Sequence, residues 1–301
     1  MCNILNFLHL KRNQNLEIMK NFILIVVSLL FTVSIYAKLE NQPIYVEVTG
    51  KGKPVLLIPG FTVPGDIWKP LVKELEKKYE CHVVTLAGFG GKDAIEFPWL
   101  PKVNESLKNY ILQNDLQNAT LIGHSLGGTV ATWLAADSEL KLGQIILIDA
   151  LPASGALMMP DFNPDNLIYE SPYNDQQLAM SDADFEQFAG NMSKGMSNQE
   201  LAQEKIKDWM LAADRETYVY GYTDYIKLDL REDLKKIEIP VTIIAASEPY
   251  GKEMVTQTYE NQYKNLKDYT FMIAENSAHF VMLDQPEWFL EQIQIILASQ
   301  G

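Results

Sequence analysis

Residues 119–136 read Ala119-Thr-Leu-Ile-Gly-His-Ser125-Leu-Gly-Gly-Thr-Val-Ala-Thr-Trp-Leu-Ala-Ala136, and this stretch decides the fold. It opens on a short apolar run, Thr120 to Gly123, that suits a buried strand. It closes on 126–136, whose alanines, leucines and valine suit a helix packed on several sides. Between them Gly123-His124-Ser125-Leu126-Gly127 matches G-x-S-x-G. A nucleophile on so sharp a strand-to-helix turn needs small residues two before and two after it, because a side chain there would strike the neighbouring backbone. The following helix points its free N–H groups at the turn, where they favour developing negative charge. Gly128 adds a further small residue where helix and strand must approach closely.

Outward from this turn, strand-like runs alternate with helical periods. Residues 43–48, 55–58, 82–86, 120–123, 144–149, 241–246 and 269–274 read as strands. Residues 66–79 (with Asp66 as N-cap), 103–112, 126–136, 252–263 and 286–297 read as helices, Pro286 suiting a first turn. The strands are continuously apolar, as a parallel sheet covered on both faces requires. The predicted fold class is α/β: a doubly wound, mostly parallel sheet. The alternation breaks between Leu151 and Ile239. There, residues 184–192 gather Phe185, Phe188 and Met192 on one helical face, and 198–213 gather Leu201, Ile206, Trp209 and Met210. The predicted organisation is a core from 38–150 and 237–301, with a helical cap inserted at 151–236.

Composition excludes some partners. The formal charge of −14 opposes nucleic acid, whose phosphates need a basic face. No Cys/His cluster suggests a metal and no Gly-rich loop a nucleotide, so no cofactor is expected. Residues 1–37 are read as an upstream segment and a signal peptide, with export to the periplasm or medium. Met19-Lys20 supplies a basic start, Phe22 to Ile35 an apolar run, and Ala37 a small residue at the cleavage point. The run is short for a membrane span, which needs about 20 apolar residues, so no stable span is expected in the mature protein. An uncleaved anchor is the alternative, and Met19 is an alternative start. Cleavage removes Cys2, three basic residues and one acidic residue, leaving Cys81 alone and moving the charge from −14 to −16. No internal disulfide is then possible. The sequence does not set the oligomeric state.

The chain resembles the α/β-hydrolase-fold superfamily across nearly all of residues 43–299. The likeness rests on IPGF (58–61), GHSLGG (123–128), IILID (145–149) and SAHFVMLDQPEWF (277–289). It resembles most closely bacterial hydrolases that combine an AGFGG-like loop (87–91), a DALP segment (149–152) and an HFVMLD-like segment. The resemblance implies a serine hydrolase with Ser125 as nucleophile, acting on a small-molecule acyl compound such as a carboxylic ester, thioester, lactone or amide. The alternatives are a cofactor-free haloperoxidase-like or C–C hydrolase chemistry, or a non-catalytic binding protein on the same fold.

A serine hydroxyl needs an adjacent base near neutral pH. Of the four histidines, His9 precedes the apolar run and His82 opens a strand ahead of the elbow. His124 sits in the elbow beside Ser125, where it packs or borders the pocket. His279 remains, in the polar loop after the last strand, where the chain order of such triads puts the base. The acid is open between two carboxylates. Asp149 closes a strand and is favoured for its rigid placement; Glu248 lies in the loop after the next strand, beside Pro249. Asp284 is read as a cap for the final helix. By analogy with His-Gly-X loops, Pro59-Gly60-Phe61 supplies the Phe61 N–H as one oxyanion donor, and Leu126 N–H is the other. Met158, Met159, Trp209, Tyr218 and Tyr222 are candidates for an apolar substrate lining.

Overall fold

The computed structural model describes residues 42–159 and 161–299. The signal-peptide reading of 19–37 lies outside the described residues. Among those described, strands β1 (Ile44–Gly50), β2 (Lys53–Ile58), β3 (Tyr79–Leu86), β4 (Thr120–His124), β5 (Gln144–Ile148), β6 (Val241–Ala246) and β7 (Thr270–Ala274) form one sheet. Its order is β1-β3-β2-β4-β5-β6-β7, with only β1 antiparallel to its neighbour. Every residue of β4 and β5 is buried. Alternate residues serve opposite faces: Leu56, Ile58, Ile145 and Leu147 join one apolar cluster, and Val55, Leu57, Ile146 and Ile148 the other. Two covered faces explain why these strands read as unbroken apolar runs.

The first helical region differs from expectation. Gly65–Trp68 is a 3₁₀ turn, and helix α1 runs only from Lys69 to Leu75. Pro70 is the reason, since proline fits the first turn of a helix and not its interior. Asp66 therefore lies inside the 3₁₀ turn and pairs with Lys69 at 2.6 Å instead of capping. Helix α2 (Trp99–Gln113) starts earlier than its periodicity suggests, because Asp224 Oδ2 accepts from the N–H groups of Trp99 (2.7 Å) and Leu100 (3.0 Å). Helix α3 (Leu126–Ala135) follows β4 directly.

Between β5 and β6 the described chain runs through α4 (Ser154–Met158), α5 (Pro172–Leu178), α6 (Asp182–Lys194), α7 (Glu200–Leu211) and α8 (Arg215–Lys227). Ser171, Ser181 and Asp214 cap α5, α6 and α8 through their side chains. The buried stripe of α7 is Ala202, Ile206 and Met210, spaced four apart. Leu201, expected on that face, is one position off it and 89% exposed. After β6 come α9 (Lys252–Gln262), α10 (Val281–Asp284) and α11 (Pro286–Ala298). No helix of the described residues is long and apolar enough to cross a membrane.

Candidate active site

Strand β4 ends at His124 and α3 begins at Leu126, so Ser125 alone makes the turn, at φ 52° and ψ −122°. A non-glycine residue held there costs on the order of 1–3 kcal/mol and persists only where its surroundings over-determine it. They do so here. The Ser125 N–H donates to Ile148 O (2.9 Å), and its carbonyl accepts from Gly128 N (2.9 Å) and Thr129 N (3.1 Å). A Cβ on Gly123 would stand 2.3 Å from Gly127 O, and one on Gly127 would stand 2.2 Å from Ile58 O. The two outer positions of G-x-S-x-G are thus glycine because backbone fills the space.

His279 lies in the loop after β7, and its Nδ1 is 2.6 Å from Asp149 Oδ2. Asp149 follows β5 at a positive φ of 43°. Its N–H donates to Ile244 O (2.7 Å), and its Oδ1 accepts from Ala246 N (3.0 Å) and the Tyr259 hydroxyl (2.9 Å). Burial by itself would raise the Asp149 carboxyl. The bonded His279, the Ala246 N–H and the Tyr259 hydroxyl outweigh it and hold the group below its ordinary value. Glu248 is exposed; its N–H donates to Ser277 O (2.9 Å), and no hydrogen bond joins its carboxylate to His279. Of the two carboxylates open in the sequence, the one on His279 Nδ1 is Asp149. With Nδ1 donating to it, Nε2 is left as the acceptor, and His279 borders the same space as Ser125.

The loop that carries His279 is fixed from two sides. Asp284 does not cap the last helix, whose N-cap is Gln285 without a side-chain bond. It is buried, and it accepts from Ala278 N (2.8 Å), Asn198 N (3.0 Å) and Ser197 Oγ (2.5 Å), tying the histidine loop to the α6–α7 connection. Three donors outside its own helix hold this carboxylate, so it is not free to cap the next one. On the other side, His124 Nε2 donates to the carbonyl of His279 (3.0 Å), leaving Nδ1 buried without a partner.

Burial, then the neighbouring His279, push His124 down to about 3 from 6.5. The native state therefore keeps this ring neutral while the unfolded chain takes up a proton below about 6.5. Stability from this group is present above 6.5 and is lost as pH falls from there toward 3. Thermal midpoints measured from pH 7 to pH 4 are expected to fall more steeply for the natural chain than for His124→Gln. Parallel curves would show that His124 contributes nothing to the acid limb.

The N–H groups of Phe61 and Leu126 donate to no protein acceptor among the described residues, while Val63 N closes the same loop onto Gly60 O (3.2 Å). Two cavities meet at Ser125. The larger, about 470 Å³, lies beneath the Gly60-Phe61 loop and the inserted helices; the smaller, about 380 Å³, lies against Asp149 and α9. Met158, Tyr218 and Tyr222 line the larger one, with Phe61 edging both tyrosine rings at 5.7 and 5.5 Å. Met159 and Trp209 border neither. Met159 closes α4 in an extended conformation, and the Trp209 ring lies against Phe280 (6.2 Å) with Lys205 over it.

The sequence reading missed Tyr225 and Ser154, which border both cavities and bond to each other at 2.8 Å. Burial pushes the Tyr225 phenol up, opposed by its interactions with Ser154, Thr129 and Ser125. A signal existed, since Tyr218, Tyr222 and Tyr225 fall at i, i+4 and i+7 on one helix face. Among the described residues no group of three His, Cys, Asp or Glu side chains is arranged to hold a metal ion.

Comparison with known proteins agrees with the fold. A family model described as "Alpha/beta hydrolase family" matches residues 55–292. A pimeloyl-[acyl-carrier protein] methyl ester esterase of Vibrio cholerae is 24% identical over 261 residues, covering 84% of this chain and 97% of its own. Among solved structures, a thermophilic esterase of Thermogutta terrifontis superposes with a TM-score of 0.71 at 20% identity, covering 85% of this chain and 93% of its own. An enol-lactonase of Burkholderia xenovorans gives 0.69 at 14% identity, covering 85% and 96%.

Proposed function

This chain belongs to the alpha/beta hydrolase family, and from that membership we propose that it hydrolyses carboxylic esters through an acyl-enzyme on Ser125. The observation that carries the reading is the His279–Asp149 bond of 2.6 Å beside a strained serine that borders the same space. His279 Nε2 takes the Ser125 proton as Oγ bonds to the ester carbonyl carbon. The carbonyl oxygen becomes an oxyanion between the N–H groups of Phe61 and Leu126. When the intermediate collapses, the bond to the alcohol oxygen breaks, and that oxygen leaves with the proton from the imidazolium. Water, deprotonated by the same nitrogen, then attacks the acyl-enzyme. The carboxylic acid departs and Ser125 regains its proton.

Asp149 holds the imidazole in the tautomer with Nδ1 protonated and stabilises the imidazolium. The relatives support an oxygen ester as substrate class, because two of the three proteins compared above are esterases and the third is a lactonase. Residues 151–236 act as a cap that roofs the site. A fluorophosphonate probe should label Ser125, with hydrolysis of short acyl esters by the same preparation. Absence of both from folded protein would count for a binding protein instead.

Export through residues 19–37 is part of the same proposal and rests on their charge and hydropathy pattern. Mass spectrometry of protein recovered outside the cytoplasm is expected to find an N-terminus at Lys38. Recovery of the intact chain in the cytosol alone would end this part of the proposal.

A further inference from the structure

The serine stands between two chambers, each large enough to hold a ligand. Ordinary binding pockets run from about 300 to 1,000 Å³. The larger chamber holds about 470 Å³ and the smaller about 380 Å³, and Ser125, His279, Tyr225 and Ser154 border both. A methanol leaving group would leave the smaller one almost empty, since a small molecule such as water takes only about 30 Å³ in liquid.

Their linings differ in a way that assigns them. Gly60 and Phe61, which carry the oxyanion loop, border only the larger chamber. Asp149, which stands behind the general acid, borders only the smaller. The acyl carbonyl turns toward the oxyanion donors and the leaving oxygen toward His279. The acyl chain therefore enters the larger chamber and the alcohol the smaller.

Among the described residues no Asp, Glu, Lys or Arg lines the larger chamber, and Met192, Met196 and Met210 give it an adaptable apolar wall. An anionic acyl group would find no counter-charge there and would be costly to bury. The smaller chamber has an apolar rim, with Leu157 and Met254 exposed beside Tyr250, and two carboxylates, Asp149 on His279 and the exposed Glu248. These carboxylates repel an anionic alcohol.

Resting on the ester-hydrolase reading, we propose that the substrate is an ester without anionic groups, with an extended apolar group on both sides of the scissile bond. A methyl ester is thus a poor substrate for this chain. The test is a matrix of esters, acetyl to octanoyl on the acid side and methyl to hexyl on the alcohol side, followed by acid release. The specificity constant is expected to rise along both axes, by up to about fourfold per methylene until each chamber is filled.

Thr258→Trp, which narrows the smaller chamber, should collapse the hexyl-to-methyl ratio while the dependence on acyl length survives. Leu157→Trp, at an exposed rim position, serves the same purpose if Thr258→Trp does not fold. Adipate and succinate half-esters, whose acyl end is a carboxylate, should be far slower than neutral esters of equal length. Methyl and hexyl esters turned over alike, or a preference for the half-esters, would overturn this inference while leaving the ester-hydrolase reading in place. No turnover of any ester together with no fluorophosphonate label would overturn both.

Discussion

Ser125→Ala is expected to lower ester turnover by about 10⁶, the loss found when a triad nucleophile is removed in a well-studied serine hydrolase. The variant keeps its Cβ and the same positive φ at position 125, so the elbow is no more strained than before. The bonds that pin the turn use only backbone, Ser125 N to Ile148 O and Gly128 N to Ser125 O, and alanine retains both. Circular dichroism and the thermal midpoint should match the natural chain. What rate remains would come from the Phe61 and Leu126 N–H groups acting on a bound ester attacked by water, worth about 10³–10⁴ over the uncatalysed reaction. A folded Ser125→Ala protein that hydrolyses esters at an undiminished rate would remove Ser125 from the mechanism.

How far the sequence carried the fold follows from the range over which each feature is determined. The elbow was readable because its marks are contiguous in sequence: a strand of β-branched and leucine side chains, a serine between two glycines, and a helix, even though the backbone that excludes a Cβ at Gly127 is Ile58 O on another strand. The parallel sheet was readable because burial on both faces leaves its mark in each strand separately. Features set by distant partners were not. Helix α2 begins at Trp99 because of a carboxylate 125 positions later, and Asp284 is claimed by Ser197 and Asn198 across the fold.

The same limit applied at the site. Asp149 and Glu248 both end or follow strands that are neighbours in the sheet, and no local pattern separates them. What separates them is the Tyr259 hydroxyl from α9 and the Ala246 N–H, which turn Asp149 so that its free oxygen meets His279. Leu201 misled for a different reason. Its helix period was read correctly to within one position, and one position is enough to carry a side chain from core to solvent.

Asp149→Asn is the second large effect expected, a loss of about 10⁴ in turnover by analogy with a well-studied triad. The argument lies in which atom the amide puts where. Oδ1 of Asp149 accepts from Ala246 N and the Tyr259 hydroxyl, so the asparagine carbonyl oxygen is held at that position. Its NH₂ group then takes the place of Oδ2 and faces His279 Nδ1 as a donor. A ring that accepts at Nδ1 carries its proton on Nε2, and Nε2 can no longer take the Ser125 proton. The fold keeps its anchors, so the loss should appear in turnover rather than in the thermal midpoint. Raising the pH should not restore activity, because the tautomer and not the charge is wrong. Glu248→Gln, at an exposed position with no bond to His279, should change stability by no more than about 0.5 kcal/mol and turnover only mildly. The reverse ranking, measured on folded proteins, would move the orienting role to Glu248. Two active single variants with an inactive double variant would mean that either carboxylate serves His279 when the other is gone.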